Sequence, residues 1–162
     1  MVNDNMILED VFIAPGSFRN FSGKEGPFNK TGERQFSVFL PTDVADILRE
    51  QGWYVKHKPA TREGYEDREQ LDIAVGFEYY PPVAKLVSYD GKETYLNEES
   101  IGLLDSVDID RANVEIRPHN WNVNGKTGVK AWLAEITVWA KAPRRGLNAR
   151  LRPREEEDED EF

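Results

Sequence analysis

Hydrophobic and polar residues alternate with period two through most of the chain, the pattern of β-strands. Over residues 7–14, Ile7, Glu9, Val11 and Ile13 alternate with Leu8, Asp10, Phe12 and Ala14. Both faces are partly apolar, as in a strand covered on both sides. Residues 18–21 read as a second short strand. The run SGKEGPFNKTG at 22–32 is rich in glycine and reads as a loop. Residues 34–40 form the next strand, with Phe36, Val38 and Leu40 on one face and Gln35, Ser37 and Phe39 on the other. These two strands and their loop make a hairpin with a long tip. The period changes at 42–51, where Val44, Ile47 and Leu48 form an apolar stripe between Thr42, at an N-cap position, and the stop Gly52. That spacing predicts a helix.

Strands resume at 53–58 and 71–78, separated by a polar loop at 59–70. The second alternates strictly through Leu71, Ile73, Val75 and Phe77 until Pro81 and Pro82 break it. Residues 83–88 and 93–96 flank Asp90-Gly91, a hairpin turn. Asn97 then caps a short helix over 98–105. Two long strands, 112–123 and 129–141, close the chain across a turn at 124–128, and Pro118 calls for an edge position or a bulge. Too few helices alternate with strands for a parallel sheet. The expected fold is all-β with minor α: an antiparallel β-barrel of the oligonucleotide-binding (OB) type, with one or two short helices and a disordered acidic C-terminal tail.

Composition narrows the picture. A chain of 162 residues, 39% hydrophobic, suffices for one domain with a real core. With no cysteine, neither disulfides nor thiolate metal sites can form. No apolar run reaches 18 residues, and MVNDNMILED has no basic segment leading into an apolar one, so neither a membrane span nor a signal peptide is expected. The net charge of -9 is unevenly placed. Seven acids fall in the final EEEDEDEF, and the preceding RRGLNARLRPR at 144–154 holds five arginines and no acid, leaving residues 1–143 at -7. Any basic site on the body must be a local patch. The expected organisation is a binding domain over 1–143 and an arginine-rich linker with an acidic tail over 144–162.

Catalytic signatures are missing. His57 and His119 are the only histidines, and no phosphate-binding glycine loop or nucleophile elbow occurs. The chain is read as a non-enzyme without metal or cofactor, although carboxylates alone leave a magnesium nuclease as one alternative. Aromatic and basic residues, however, share the same stretches. Arg19, Phe21, Lys24, Phe28, Lys30 and Arg34 surround the first hairpin. Tyr54, Lys56 and Lys58 fall on one strand face. Arg117 and Trp121 share another face with His119, and Lys126 and Lys130 flank the last turn. Single-stranded nucleic acid needs this pairing: cations for phosphates, and flat rings for unpaired bases, each stack worth roughly 1–3 kcal/mol. Phe36, Val38, Trp53, Phe77, Trp132 and Trp139 are assigned to the core by their pattern. Phe21, Phe28, Tyr54 and Trp121 can either stack on bases or pack inside. Tyr79 and Tyr80 have few cations near them in sequence and rank lower.

The segments FRNFSGKEGPFN from Phe18, GERQF from Gly32, GWYVK from Gly52 and IRPHNWNVNGKTGVKAWL from Ile116 resemble a family of bacteriophage single-stranded DNA-binding proteins, in order and spacing over most of residues 1–141. The resemblance implies an OB-like fold, binding of single-stranded DNA, a role in phage DNA replication, recombination and repair, and a place in the host cytoplasm. Glu155, Glu156, Glu157, Asp158, Glu159, Asp160, Glu161 and Phe162 resemble the acidic, Phe-terminated tails with which such proteins recruit partners. The implied partners are phage or host replication proteins, a polymerase or helicase–primase, with no membrane. An acidic adaptor that mimics DNA without binding it is the alternative that the charge of the body supports. Nothing in the sequence sets an oligomeric state or a preference for DNA over RNA.

Overall fold

A computed structural model of the chain describes residues 2–27, 29 and 31–142. The predicted residues Phe28 and Lys30, and the whole of the arginine-rich segment and acidic tail, lie outside the described residues. The described chain forms nine strands in chain order: β1 (Met6–Ile13), β2 (Arg19–Asn20), β3 (Arg34–Leu40), β4 (Lys56–Lys58), β5 (Arg68–Val75), β6 (Val83–Val87), β7 (Glu93–Leu96), β8 (Ile109–Val123) and β9 (Lys126–Ala140). One helix, α1 (Thr42–Gln51), follows β3, and 3-10 turns occupy Gly16–Phe18 and Ile101–Asp105. Among the described residues no helix is long and apolar enough to cross a membrane.

All nine strands belong to one sheet of order β4-β5-β3-β1-β8-β9-β6-β7, with β2 on β3. The sheet bends until β5 meets β9, which closes β1, β3, β5, β9 and β8 into a partial ring, OB-like in outline. The closure is slight, with only Ile73↔Ala131 and Ala74↔Trp132 in register. It is also parallel, as is β6 on β9. The expected all-β, OB-like fold with minor α is what forms: a mainly antiparallel sheet bent into a partial ring, with parallel contacts at β5–β9 and β6–β9. Phe36, Val38, Leu71, Ile73, Ile116, Leu133 and Ile136 fill its interior.

Local departures have physical causes. In β1 the pairing with β8 shifts register between Leu8 and Val11, and Asp10 takes a φ of 53°. This bulge turns the strand over, so Leu8, Val11 and Ile13 are all buried while Ile7 and Phe12 face out. The mixed pattern of residues 7–14 reflects that switch, not cover on both faces. Helix α1 buries Ala45 and Leu48 rather than Ile47, and Gly52 ends it with φ 104°. Pro41, not Thr42, occupies the N-cap. Asn97 does initiate its turn, its Oδ1 accepting from the Glu99 and Ser100 N–H groups at 3.0 Å each. The loop expected over 59–70 ends earlier, because Arg68, Glu69 and Gln70 already pair with β4 and β3.

Candidate nucleic-acid interface

The closing hairpin carries the site. Strand β8 pairs with β1 only as far as Ile116, opposite Met6. From Arg117 to Val123 it pairs with β9 alone, so Pro118, which has no N–H, costs no ladder bond on its other edge. The N-terminal segment meets that flank through Asn120, whose side-chain amide accepts from the Val2 N–H and donates to the Val2 carbonyl. A two-residue turn closes the hairpin, with Asn124 at φ 53° and Gly125 at φ 80°.

Two adjoining clefts run along β9. The first, about 690 Å³, is lined by Gln35, Tyr54, Lys56, Asp72, Trp121 and Lys130, among others. Burial of Trp53 and Val55 turns Tyr54 outward, 66% exposed. Trp121 lies across its cross-strand partner Gly128: a Cβ there would stand 2.4 Å from the indole Cζ2. The glycine is what lets the ring lie flat over β9. At the cleft floor the Asp72 carboxylate accepts from Ser37 Oγ and Gln70 Nε2, each at 2.7 Å, and pairs with Lys56 Nζ at 2.6 Å. Burial pushes the Asp72 carboxyl up, but the Gln70, Lys56 and Ser37 hydrogen bonds together outweigh it and hold the group below its ordinary value. A half-exposed ion pair of this kind contributes ~0–1 kcal/mol, so a phosphate oxygen can compete for the Lys56 ammonium at small cost.

The second cleft, about 950 Å³, is lined by Arg34, Phe77, Tyr80, Arg117 and Trp132, with Glu78 and Glu98 beside them. Cations lie over rings at three points: Arg34 over Phe77 at 5.1 Å, Arg117 over Tyr80 at 4.8 Å, and Lys130 over Trp132 at 4.8 Å. The last contact joins the two clefts into one groove. Gly76 makes room for Trp132, since a Cβ would come within 2.8 Å of its ring. Arg34 also meets Glu98 at 3.6 Å, whereas Arg117 and Lys130 make no ion pair among the described residues. The groove thus mixes cations with Asp72, Glu78 and Glu98, and its distinguishing content is aromatic.

The predicted site residues divide accordingly. Tyr54, Lys56, Trp121 and Lys130 meet in the first cleft, and Arg34 and Arg117 in the second. Lys24, Lys58 and Lys126 are exposed and line neither. Two assignments are overturned. Phe21 is fully buried, stacked on Phe36 with ring centroids 4.6 Å apart, and has no face for a base. Arg19 is a structural tie, its guanidinium donating to the carbonyls of Val107 at 2.8 Å and Leu104 at 3.1 Å, and more weakly to Ala14 and Ile13. Burial lowers its pKa, against the pull of Asp105 and Asp108. Conversely, Phe77 and Trp132, assigned to the core, are half-buried groove walls, and Tyr80 has the cation that its sequence neighbourhood lacks. Two glycines were the signal for both tryptophans, Gly128 inside β9 and Gly76 just past the end of β5: a glycine in or beside a strand marks close approach of another group. His57 faces away from the clefts into an ion cluster, with Nδ1 2.6 Å from Glu69 and Nε2 3.2 Å from Asp67. Glu69 also binds Arg49. Among the described residues no three His, Asp or Glu side chains gather to hold a metal.

A sheet bent into a partial ring, with an aromatic and cationic groove beside its closing hairpin, has the outline of a single-strand-binding module. The family model described as "Putative phage ssDNA-binding domain" matches residues 1–145. The chain belongs to that family. Two solved structures share the fold: the single-stranded DNA-binding protein from bacteriophage Enc34 in complex with ssDNA (14% identity, TM-score 0.54, covering 88% of this chain and 89% of that one), and the same phage protein alone (12%, 0.53, 88% and 84%). No curated protein matches the sequence.

Proposed function

We propose that this protein binds single-stranded DNA with little sequence preference in the groove formed by the two clefts. The observation that carries the reading is the run Tyr54–Trp121–Lys130–Trp132–Arg117–Tyr80, in which rings and unpaired cations alternate along one groove, in a chain of the phage single-stranded DNA-binding family. Rings accept any base, and the cations take phosphates. Stacking on a ring does not depend on which base is stacked, which is the ground for proposing sequence-tolerant binding. Anisotropy titration of labelled oligonucleotides, single-stranded and duplex, tests it. Single strands bind more tightly, and affinity falls with salt at a log–log slope of about -0.7 per phosphate neutralised. Equal affinity for duplex and single strand, or none for either, contradicts the reading.

The wider role follows from this reading together with the sequence beyond the groove. The protein covers single strands in phage replication, recombination and repair, and residues 144–162 serve as an arm whose acidic, Phe162-ended tip recruits replication proteins. The tip's composition supports this. Deleting Phe162 leaves oligonucleotide binding unchanged and weakens capture of a polymerase or helicase–primase; unchanged capture removes the recruiting role.

A further inference from the structure

Strand alternation gives β3, β4 and β5 an outward face that continues beyond the first cleft. Directly opposed residues on neighbouring strands share a face. Phe39 lies opposite Phe12 on β1 and Gln70 on β5, while Lys56 lies opposite Gln70 and Lys58 opposite Arg68. Arg68, Lys58, Phe39 and Phe12 therefore stand on the same face as Asp72 and Lys56 of the first cleft. Along β5, Arg68 is four residues from Asp72, about 13 Å of strand.

The residues gathered there are unspent. The Arg68 guanidinium carbon sits 4.9 Å from the Phe39 ring centroid and 5.1 Å from that of Phe18. Its side chain makes no ion pair and no hydrogen bond among the described residues, and its Nε is closed off from solvent without a partner. Lys58, exposed, likewise has no carboxylate partner among those residues. The acids beside Arg68 in sequence are committed elsewhere: Asp67 pairs with His57, and Glu69 with His57 and Arg49. Two like charges thus face each other across β4 and β5, an arrangement that destabilises a sheet until an anion sits between them. A guanidinium held beside two rings still presents a planar fork of N–H groups suited to phosphate. Phe12, packed on Phe39 at 5.8 Å yet 52% exposed, leaves a ring face open beside it.

We infer that the DNA path continues from the first cleft along β4 and β5 to a phosphate seat formed by Arg68 and Lys58, with Phe12 as the platform for the adjoining base. The inference rests on the proposed binding of single-stranded DNA and adds Arg68 and Phe12 to its contacts. An OB-type module occupies about 4–16 nucleotides, so a footprint longer than the two clefts is expected.

The test is an anisotropy titration with a labelled oligothymidylate of about 16 nucleotides, the upper end of that range, repeated over a series of salt concentrations. Wild type is compared with Arg68→Gln, Lys58→Gln and Lys92→Gln, the last removing the same charge on the distant β6–β7 turn. Arg68→Gln weakens binding about tenfold, as loss of a charge-assisted hydrogen bond does. Either seat variant, Arg68→Gln or Lys58→Gln, makes the log–log salt slope shallower by about 0.7, one phosphate fewer, while Lys92→Gln leaves it as in wild type. Lys58 makes no side-chain hydrogen bond or ion pair among the described residues, so its variant remains informative should Arg68→Gln fail to fold. Wild-type slope and affinity in Lys58→Gln and in any folded Arg68→Gln protein overturn the seat alone and leave the groove standing. An equal slope change in Lys92→Gln overturns it too, by showing that only total charge matters. Failure of wild type to bind overturns both the groove and the seat.

Discussion

Phe21 and Trp121 have similar neighbourhoods in the sequence: each is an aromatic in or beside a strand, a few residues after an arginine. In the fold they have opposite surroundings. Phe21 follows the two-residue strand β2, its N–H held by Asp105 Oδ1 at 2.6 Å and its ring stacked on Phe36, while Arg19 spends its donors on backbone carbonyls. Trp121 lies where β8 has outrun β1, so no strand covers that flank, and Gly128 lets the ring lie across the hairpin. The difference is one of strand length, not residue type. An aromatic beside a cation states a chemistry, and the neighbouring strand decides whether that chemistry is spent on the fold or left for a ligand.

The sharpest way to separate the two is to truncate each ring. Phe21→Ala empties a fully buried position and destabilises the protein by about 3–5 kcal/mol, read from urea denaturation. The fraction that remains folded binds oligonucleotide as wild type does. Trp121→Ala reverses the pattern: folding stability changes little, and binding weakens by roughly 1–3 kcal/mol. Similar stability losses in both variants would erase the distinction.

A smaller effect is expected at Gly128. Adding a Cβ by Gly128→Ala displaces the indole without removing it, so affinity falls by less than in Trp121→Ala and the tryptophan emission maximum shifts. An unshifted spectrum contradicts the stacked placement. The smallest effect concerns β5, whose two faces use their acids differently: Asp72 faces the groove, Glu69 the ion cluster. The Glu69 hydrogen bond, helped by Asp67, raises the pKa of His57 above its ordinary value of about 6.5. A raised folded-state value gives stability that is fully present below the unfolded value and is lost as pH climbs through the folded one. Glu69, lowered by His57 and then Arg49, contributes stability above its unfolded value and loses it as pH falls through its depressed folded value. The stability gap between wild type and His57→Gln therefore narrows as urea midpoints are taken from about pH 6 to about pH 9. Oligonucleotide affinity measured at one pH is the same in both, since His57 faces away from the groove.

Much of the fold was legible. The period-two runs located β3, β6 and β7 to within about a residue, and the helix at 42–51 was marked by its apolar spacing and the Gly52 stop. The closing hairpin was marked by Asn124-Gly125, although its turn takes two residues rather than the five expected over 124–128. What pattern could not supply was pairing. The bulge at Asp10 and the early start of β5 at Arg68 are set by partner strands rather than by local sequence. The site split the same way. Tyr54, Lys56, Trp121 and Lys130 are legible because ring and cation stand close together in the sequence, Tyr54 just before Lys56 of β4 and Trp121 across the turn from Lys130 of β9. Tyr80 was ranked low because its cation, Arg117, is 37 residues away in the chain and arrives only through the fold. Alternation alone puts Trp132 in the core, because it does not reveal that Gly76, one residue past the end of β5, leaves room for the ring.

The open hairpin can be probed directly by titrating wild type, Trp121→Ala and Tyr80→Ala with one labelled oligothymidylate and comparing the three affinities. Each variant, one from either cleft, retains its fold and binds at least several-fold more weakly, as loss of a stacked base requires. Two folded variants that bind as tightly as wild type would contradict the account, because the rings lining the two clefts would then not be the surface that holds DNA.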